Sequence, residues 1–303
     1  MSNLSSPLVS VIIPVFNNSE GLKKSLEALE NQTYPKSLYK VIVVDNGSDE
    51  DIKEVVSQFG QAFAAYESQP GSYFARNKGL SLAKSDVLAF TDSDCIPALD
   101  WIEKGVAHLR QAPNCGLVAG KIEFFFKNPD QPTAVEYYDV TMMDGFIQQK
   151  FVEESRYGAT ANLFTFRGVI DKVGPFDQTL KSSGDREWGQ RVFSAGYEQI
   201  YADDVCVAHP ARHSLEQLHK KVVRIIGGHQ EFKKKKGYSL GEFFADMATD
   251  LFPPFRLYFR ILLDKKIKGG VQKLQFSLVF LYFKYLGAWE KVRIQLGGTS
   301  TRG

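Results

Sequence analysis

An α/β chain with a doubly wound parallel sheet is the expectation from three features of the sequence. Short β-branched runs alternate with segments of helical spacing over the first 125 residues. Those runs carry few polar positions, as strands covered on both faces do. Polar residues also follow the carboxyl ends of several of them, the edge where open α/β sheets bind ligands.

The elements follow in order. Residues 9–15, Val-Ser-Val-Ile-Ile-Pro-Val, read as a buried strand. Ser19 and Glu20 open a helix carrying Leu22, Leu26 and Leu29, which ends by Thr33-Tyr34-Pro35. Residues 41–44 form a second buried strand, and Asp49 is placed to cap a helix bearing Ile52, Val55, Val56 and Phe59. A short strand over 62–66, a helix over 73–83 and a strand over 87–91 complete this half. Asn17, Asp45 and Asp92 each lie just past a strand's end, so three polar groups converge on one edge. Beyond Gly116 the pattern gives a strand over 117–124, a helix over 132–146 and a strand over 161–166. A helix over 185–195 with an acidic first turn and a strand over 200–207 follow.

At 303 residues, the chain suits one large domain or two smaller ones. A hydrophobic content of 44% with 24% charged residues places it among folded soluble proteins rather than disordered or membrane-spanning chains. Cys95, Cys115 and Cys206 are too few and too widely spaced for a disulfide framework or a zinc site, so reduced thiols are expected. The first ten residues hold no basic stretch followed by an apolar one, so a cytoplasmic protein is expected.

The net charge of +2 conceals a division. From Leu215 onward there are 17 Lys and Arg against 7 Asp and Glu, whereas the preceding residues carry an acidic excess. Four consecutive lysines occupy 233–236; Phe255, Tyr258, Phe259 and Leu262 share one helical face, with Arg256 and Arg260 on another. Residues 278–283 are apolar all round but bracketed by Lys273 and Lys284, too short a run for the roughly 20 residues of a membrane span. Peripheral contact with an anionic membrane is therefore expected, the alternatives being a helix packed on the body and a homodimer interface. Long apolar runs within the basic segment argue against a nucleic-acid partner.

The chemistry concentrates in Asp92-Ser93-Asp94. Two carboxylates one residue apart at a strand end offer hard oxygen ligands to a divalent cation, although a solvated turn has the same pattern. Other segments set it in context: 9–17 ending Pro14-Val15-Phe16-Asn17, Val43-Val44-Asp45-Asn46-Gly47-Ser48-Asp49, and 71–79 with Arg76 and Asn77. Val173-Gly174-Pro175-Phe176-Asp177 and Gly184-Asp185-Arg186-Glu187-Trp188 come later. In this order, across roughly 9–209, the chain resembles a family 2 glycosyltransferase of the inverting GT-A type.

That resemblance implies a GT-A nucleotide-diphospho-sugar transferase fold, a mostly parallel central sheet flanked by helices, with a C-terminal helical extension. The implied division is 1–214 for the transferase domain, 215–303 for the extension, with a nucleotide-binding half over 1–125 and an acceptor-binding half over 126–214. It implies a nucleotide-sugar donor, most often a UDP-sugar, and a glycan or lipid-linked acceptor. Pro14, Asn17, Asp45, Arg76 and Asp92 fall on the nucleotide side, while Asp94, Asp92 and His209 fall near a Mn²⁺ or Mg²⁺ ion. Asp185 matches the general base, with Glu187 and Trp188 on the acceptor side. For several of these a plainer reading stands beside it: a turn for Asp45, an acid-paired arginine for Arg76, a structural histidine for His209. A helix cap is the alternative for Asp185, and core packing for Trp188. The chain departs from the pattern at Asn46 and Gly184, where many relatives carry acidic residues. Rival activities are a nucleotidyltransferase, disfavoured because Asn17-Asn18-Ser19-Glu20 is no glycine-rich phosphate loop, and a degenerate nucleotide-binding scaffold, disfavoured by the retained aspartates.

Overall fold

The computed structural model describes residues 6–143, 148–235, 237–252, 267 and 269–301. Along the chain come β1 (Val9–Val15), α1 (Ser19–Glu30), β2 (Tyr39–Asp45), α2 (Ile52–Ser57), β3 (Ala62–Tyr66), α3 (Ser72–Leu82) and β4 (Val87–Thr91). Then follow β5 (Ile96–Pro97), α4 (Trp101–Gln111), β6 (Cys115–Phe125), α5 (Ala134–Met143), α6 (Gln148–Ser155) and β7 (Asn162–Phe166). The remainder comprises α7 (Arg167–Val173), α8 (Gly184–Ser194), β8 (Glu198–Pro210), α9 (Leu215–Lys235), α10 (Leu240–Leu251) and α11 (Gly270–Gln295). Two compact units result. Met1–Phe124, Phe146–Thr179 and Gly184–Pro210 make the first; Phe125–Gly145, Leu180–Ser183 and Ala211–Gly303 make the second. The segment after β6, expected in the acceptor half, thus packs within the second unit.

The first unit is built on one sheet in the order β3-β2-β1-β4-β7-β6-β8-β5. β1 lies parallel between β2 and β4, with Val15 opposite Asp45 and Ile12 opposite Phe90. Parallel pairing extends to β3, and beyond β4 the sheet becomes mixed: β4 meets β7 antiparallel, as β6 meets β7 and β5 meets β8. The parallel strands bring the ends of β1, β2 and β4 to a single edge, so Asn17, Asp45 and Asp92 emerge together. Their alternation serves two buried faces. Val11, Ile13, Val41, Val43 and Ala89 join the core with Leu22 and Leu26 of α1 and Trp101 and Val106 of α4. Ile12 points the other way, against α3, where a Cβ on Gly79 would come within 2.4 Å of its side chain; glycine lets the helix approach.

No element is expected from the sequence between 95 and 115, yet β5 and α4 occupy that stretch. Trp101, Ile102, Val106 and Leu109 give α4 one buried face at helical spacing. The cap of α2 also differs from expectation: Asp51, not Asp49, accepts from the Glu54 amide (2.9 Å), because Asp49 is held by Asn17.

Asn162 knits the sheet's middle. Fully buried, its Oδ1 accepts from the Trp101 indole Nε1 (2.8 Å) while its Nδ2 donates to the carbonyls of Lys121 and Val205 (both 2.8 Å). Asn162→Ala would leave three interior groups unsatisfied, at about 1–3 kcal/mol each before relaxation. A loss of about 3 kcal/mol or more is expected in urea unfolding, and a change below about 1 kcal/mol would show that these bonds are replaced by others.

The second unit is helical. Tyr138 of α5 packs its ring against Phe280 (6.1 Å) and Phe283 (5.0 Å) of α11, with Val135, Leu218 and Phe276 completing the cluster. Beside it the fully buried carboxylate of Asp139 accepts from Lys221 Nζ (2.7 Å) and the Arg212 amide (2.9 Å), which satisfies the charge. Ser239 and Glu242 form a capping box that starts α10. The aromatic face expected over Phe255, Tyr258, Phe259 and Leu262 lies outside the described residues. Among the described residues no helix is long and apolar enough to cross a membrane.

Candidate active site

The two aspartates leave β4 on a tight turn in which the Cys95 amide donates to the Asp92 carbonyl (3.1 Å). Ser93 between them accepts from Asn18 Nδ2 (3.1 Å), and Asn18 itself caps α1 through the Gly21 amide. The helix start and the carboxylate turn therefore fix one another. Arg76, on α3, donates from Nη2 to Asp92 Oδ1 at 2.6 Å. The acid-paired reading of Arg76 is thus what the structure has, but inside the protein rather than on its surface: the side chain is 6% exposed, and among the described residues its Nε has no hydrogen-bond partner.

Asp94 turns toward β8, where its Oδ1 lies 3.6 Å from His209 Nε2. His209 Nδ1 sits 2.8 Å from the Pro210 carbonyl, which can only accept, so that nitrogen carries a hydrogen and Nε2 is left facing the aspartate side. An imidazole held this way by a carbonyl has the usual arrangement of a metal-ligating histidine. Cys95 belongs to the same group, whose ligand atoms lie within 4.8 Å of one another. Burial first, then the neighbouring Asp94 and Asp92, push its thiol well above the ordinary range. The group's imidazole and carboxylate, His209 and Asp94, are donors that fit Mn²⁺ or Mg²⁺, while Asp92 on the same turn is paired with Arg76.

Tyr73, whose ring centroid lies 5.6 Å from the Arg76 guanidinium carbon, leads to Asp185. Asp185 is the second residue of α8, inside the first turn rather than at a cap position, and its carboxylate accepts from the Arg186 amide (2.9 Å). Tyr73 fills the space beneath. Its hydroxyl accepts from the Gly184 amide (2.7 Å) and the Asp185 amide (3.3 Å), two of the donors that a helix start leaves unpaired, and lies 3.5 Å from Asp185 Oδ1. Burial raises the Asp185 carboxyl above the usual carboxylate range, with Arg76 opposing the shift. A carboxylate with raised basicity, held by the Arg186 amide, is equipped to take a proton.

Gly184 has a steric role here. A Cβ at that position would fall 2.6 Å from two atoms of the Tyr73 ring, which is itself stacked on Phe176 (5.9 Å between centroids) and cannot retreat. Gly184→Ala should cost about 1–3 kcal/mol, the usual range for overpacking, and pull Asp185 out of place. Lower thermal stability together with lower turnover is expected, and a Tyr73→Ala change in the same chain should recover part of the stability. An unaffected Tm would mean that the ring has room.

These features coincide with the results of comparison. The model of the family described as Glycosyl transferase family 2 matches residues 10–174. Glycosyltransferase AglE of Haloferax volcanii is 41% identical over 227 residues, covering 73% of each chain. The chain belongs to glycosyl transferase family 2. The pre-mycofactocin glycosyltransferase of Mycobacterium tuberculosis is 29% identical over 68% of this chain but only 43% of its own length. Among solved structures, the mannosyltransferase PcManGT from Pyrobaculum calidifontis, in complex with GDP-Man and Mn²⁺, superposes with a TM-score of 0.64 at 18% identity, covering 95% of this chain and 88% of that one. The fold is of the GT-A type, and the protein is a glycosyltransferase.

Within this family 2 chain the departures from the usual pattern acquire reasons. Asn46 donates from Nδ2 to the Glu67 and Gln69 carbonyls (2.9 and 2.8 Å) and accepts from the Gly71 amide (2.5 Å). It therefore binds the loop leading into α3, a task that needs two donors and one acceptor and that an ionised aspartate cannot perform. Asp45 closes the turn by accepting from the Ser48 amide (2.9 Å), and Asn17, at a φ of 47°, exchanges hydrogen bonds with Asp49. Both side chains thus shape the loops after β1 and β2, and Pro14 holds its place in β1 opposite Val44. Phe16 and Tyr66, 54% and 61% exposed at the same edge, are aromatic groups that the sequence reading did not single out.

Glu187 and Trp188, expected on the acceptor side, both have structural partners, and for Trp188 the core-packing alternative is what the structure has. The Glu187 carboxylate is gripped at both oxygens by Arg191 Nε and Nη2 (2.8 and 3.0 Å); Nη2 also donates to the Pro175 carbonyl and Nη1 to that of Val173. It is a brace for the loop before Phe176. Trp188 is fully buried, donating its indole N–H to the Gly174 carbonyl (3.1 Å), and offers no face to a ligand. Tyr73, absent from the expected residues, is the group that sequence spacing could not reveal, since it meets Asp185 across 112 positions.

Proposed function

We propose that this glycosyltransferase moves one sugar, with inversion, from a nucleoside diphosphate sugar to a hydroxyl group of a glycan or lipid-linked acceptor. Asp185 removes the acceptor proton as that oxygen bonds to the anomeric carbon and the nucleoside diphosphate departs from the opposite face. Asp94 and His209, with Asp92 beside them, hold a divalent ion, which when bound supplies positive charge to the leaving diphosphate. Arg76 keeps Asp92 oriented through its 2.6 Å ion pair and tempers the basicity of Asp185. The observation that carries this reading is a desolvated carboxylate, Asp185, within the influence of the buried Arg76 that pairs with Asp92, two residues along the chain from the Asp94–His209 pair. Uridine is the base expected from the family resemblance, and guanosine is the nucleotide of the PcManGT complex. The basic excess after Leu215 supports work at the anionic inner face of the cytoplasmic membrane, where lipid-linked acceptors reside.

Calorimetric and thermal-shift titration with UDP, GDP, CDP and dTDP, each with Mn²⁺ and with EDTA, tests the donor and the ion together. Tightening by one diphosphate only when metal is present is the expected result. No response to any of the four would overturn the donor assignment and favour a scaffold that has lost its substrate.

A further inference from the structure

We propose that the outward face of α11 is a membrane-docking surface that lies flat in the headgroup region of an anionic bilayer. A helix packed on a protein ordinarily turns charged side chains outward. This one does the opposite. Phe276, Phe280 and Phe283 are buried, yet apart from Gly270 and Gln275 every exposed position of the helix is apolar or aromatic. Those positions are Val271, Leu274, Leu278, Tyr282, Tyr285 and Trp289, with exposures from 46% at Tyr285 to 73% at Val271. None is charged. Together they make a contiguous patch on the order of several hundred Å², the size at which a surface normally has an occupant.

The geometry of the stripe and the charge around it identify that occupant. Val271 and Trp289 are 18 residues apart, which is five turns at 3.6 residues, so the stripe runs straight along about 27 Å of helix. A flat surface suits a straight stripe, and the seven-residue spacing of Val271, Leu278 and Tyr285 suits a second helix equally. Charge decides between them: 17 basic against 7 acidic residues from Leu215 onward repel the like segment of another copy and attract anionic lipid. Tyr282, Tyr285 and Trp289 add the amphipathic rings that favour the headgroup level. Insertion is shallow, because Lys284 and Lys291 on the same helix are engaged with Thr249 and Asp250 of the protein. This inference rests on the membrane setting proposed above and adds which surface makes the contact.

Tryptophan fluorescence of the full chain tests it, because Trp101 and Trp188 are fully buried and Trp289 is 63% exposed. The probes are vesicles of phosphatidylcholine alone and of an equimolar mixture with phosphatidylglycerol, each with chains brominated near the headgroup. Binding to the mixed vesicles with quenching of Trp289 is expected. Leu278→Glu should weaken that partition about tenfold or more at unchanged Tm, the cost of replacing a buried leucine by a charge. Leu274→Glu repeats the test if the first variant is unstable. Vesicle binding without quenching and unaffected by Leu278→Glu would overturn the assigned face while the membrane setting stands. Absence of binding to the mixed vesicles would overturn both. A dimer in solution that Leu278→Glu dissociates would assign the stripe to a second copy instead.

Discussion

Asp185→Asn is expected to lower turnover by about 10² or more while leaving diphosphate and metal affinity unchanged, the scale for losing a positioned base. The substitution keeps size and most of the hydrogen bonding, since an amide oxygen can still accept from the Arg186 amide that Asp185 engages at 2.9 Å. Only proton acceptance is removed. The pH profile sharpens the test. A general base works deprotonated, and burial raises the Asp185 carboxyl above the usual carboxylate range, more than Arg76 pulls it down. Activity should therefore be complete above that raised pKa and fall as the pH drops through it, with an acid limb in kcat/KM displaced upward from that of an exposed aspartate. In Asp185→Asn the limb should vanish with the rate. Unchanged turnover would remove Asp185 from the role and direct attention to another acceptor-side group.

Asp94→Ala should abolish the metal-dependent part of nucleotide binding, reducing affinity in Mn²⁺ to the level seen with EDTA, by about 10² or more; loss of even an outer-shell partner costs 10–100-fold. The effect is large because the described donor set is small. Without Asp94, His209 Nε2 keeps its orientation from the Pro210 carbonyl but loses the carboxylate 3.6 Å away, and Asp92 is already paired with Arg76. His209→Ala should fall between wild type and Asp94→Ala, since an imidazole is the softer and neutral member for a hard cation. Calorimetry measures all three. Equal binding by Asp94→Ala and wild type in Mn²⁺ would refute the donor role.

Much of this site is readable from local sequence because its parts hang on strand ends. A run such as Val87–Thr91, buried at every position, identifies itself by composition, and whatever follows it reaches the carboxyl edge of the sheet. Asp45 and Asp92 could be placed together for that reason alone. The helix bearing Asp185 was legible from its acidic start and spacing. Helix α4 carried the same kind of signal, Trp101, Ile102, Val106 and Leu109 at helical spacing with Glu103, Lys104 and His108 between them, although no element was expected there.

By itself, then, the chain's sequence determined the strand–helix alternation, the edge on which the carboxylates gather, the family, and the basic character of the C-terminal segment. These are properties of neighbours along the chain, set by side-chain periodicity and by charge. Tertiary structure decided the rest, through groups that meet across large sequence distances. Only the fold places the Tyr73 ring against Gly184 and so gives a reason for a glycine where relatives carry an acid. Only the fold commits Asn46 to loop carbonyls, Glu187 to Arg191 and Trp188 to the interior. The same holds for α11: with apolar residues all round its middle, periodicity cannot say which face is inside. Packing of Phe276, Phe280 and Phe283 against Tyr138 makes that choice and leaves the opposite stripe facing outward.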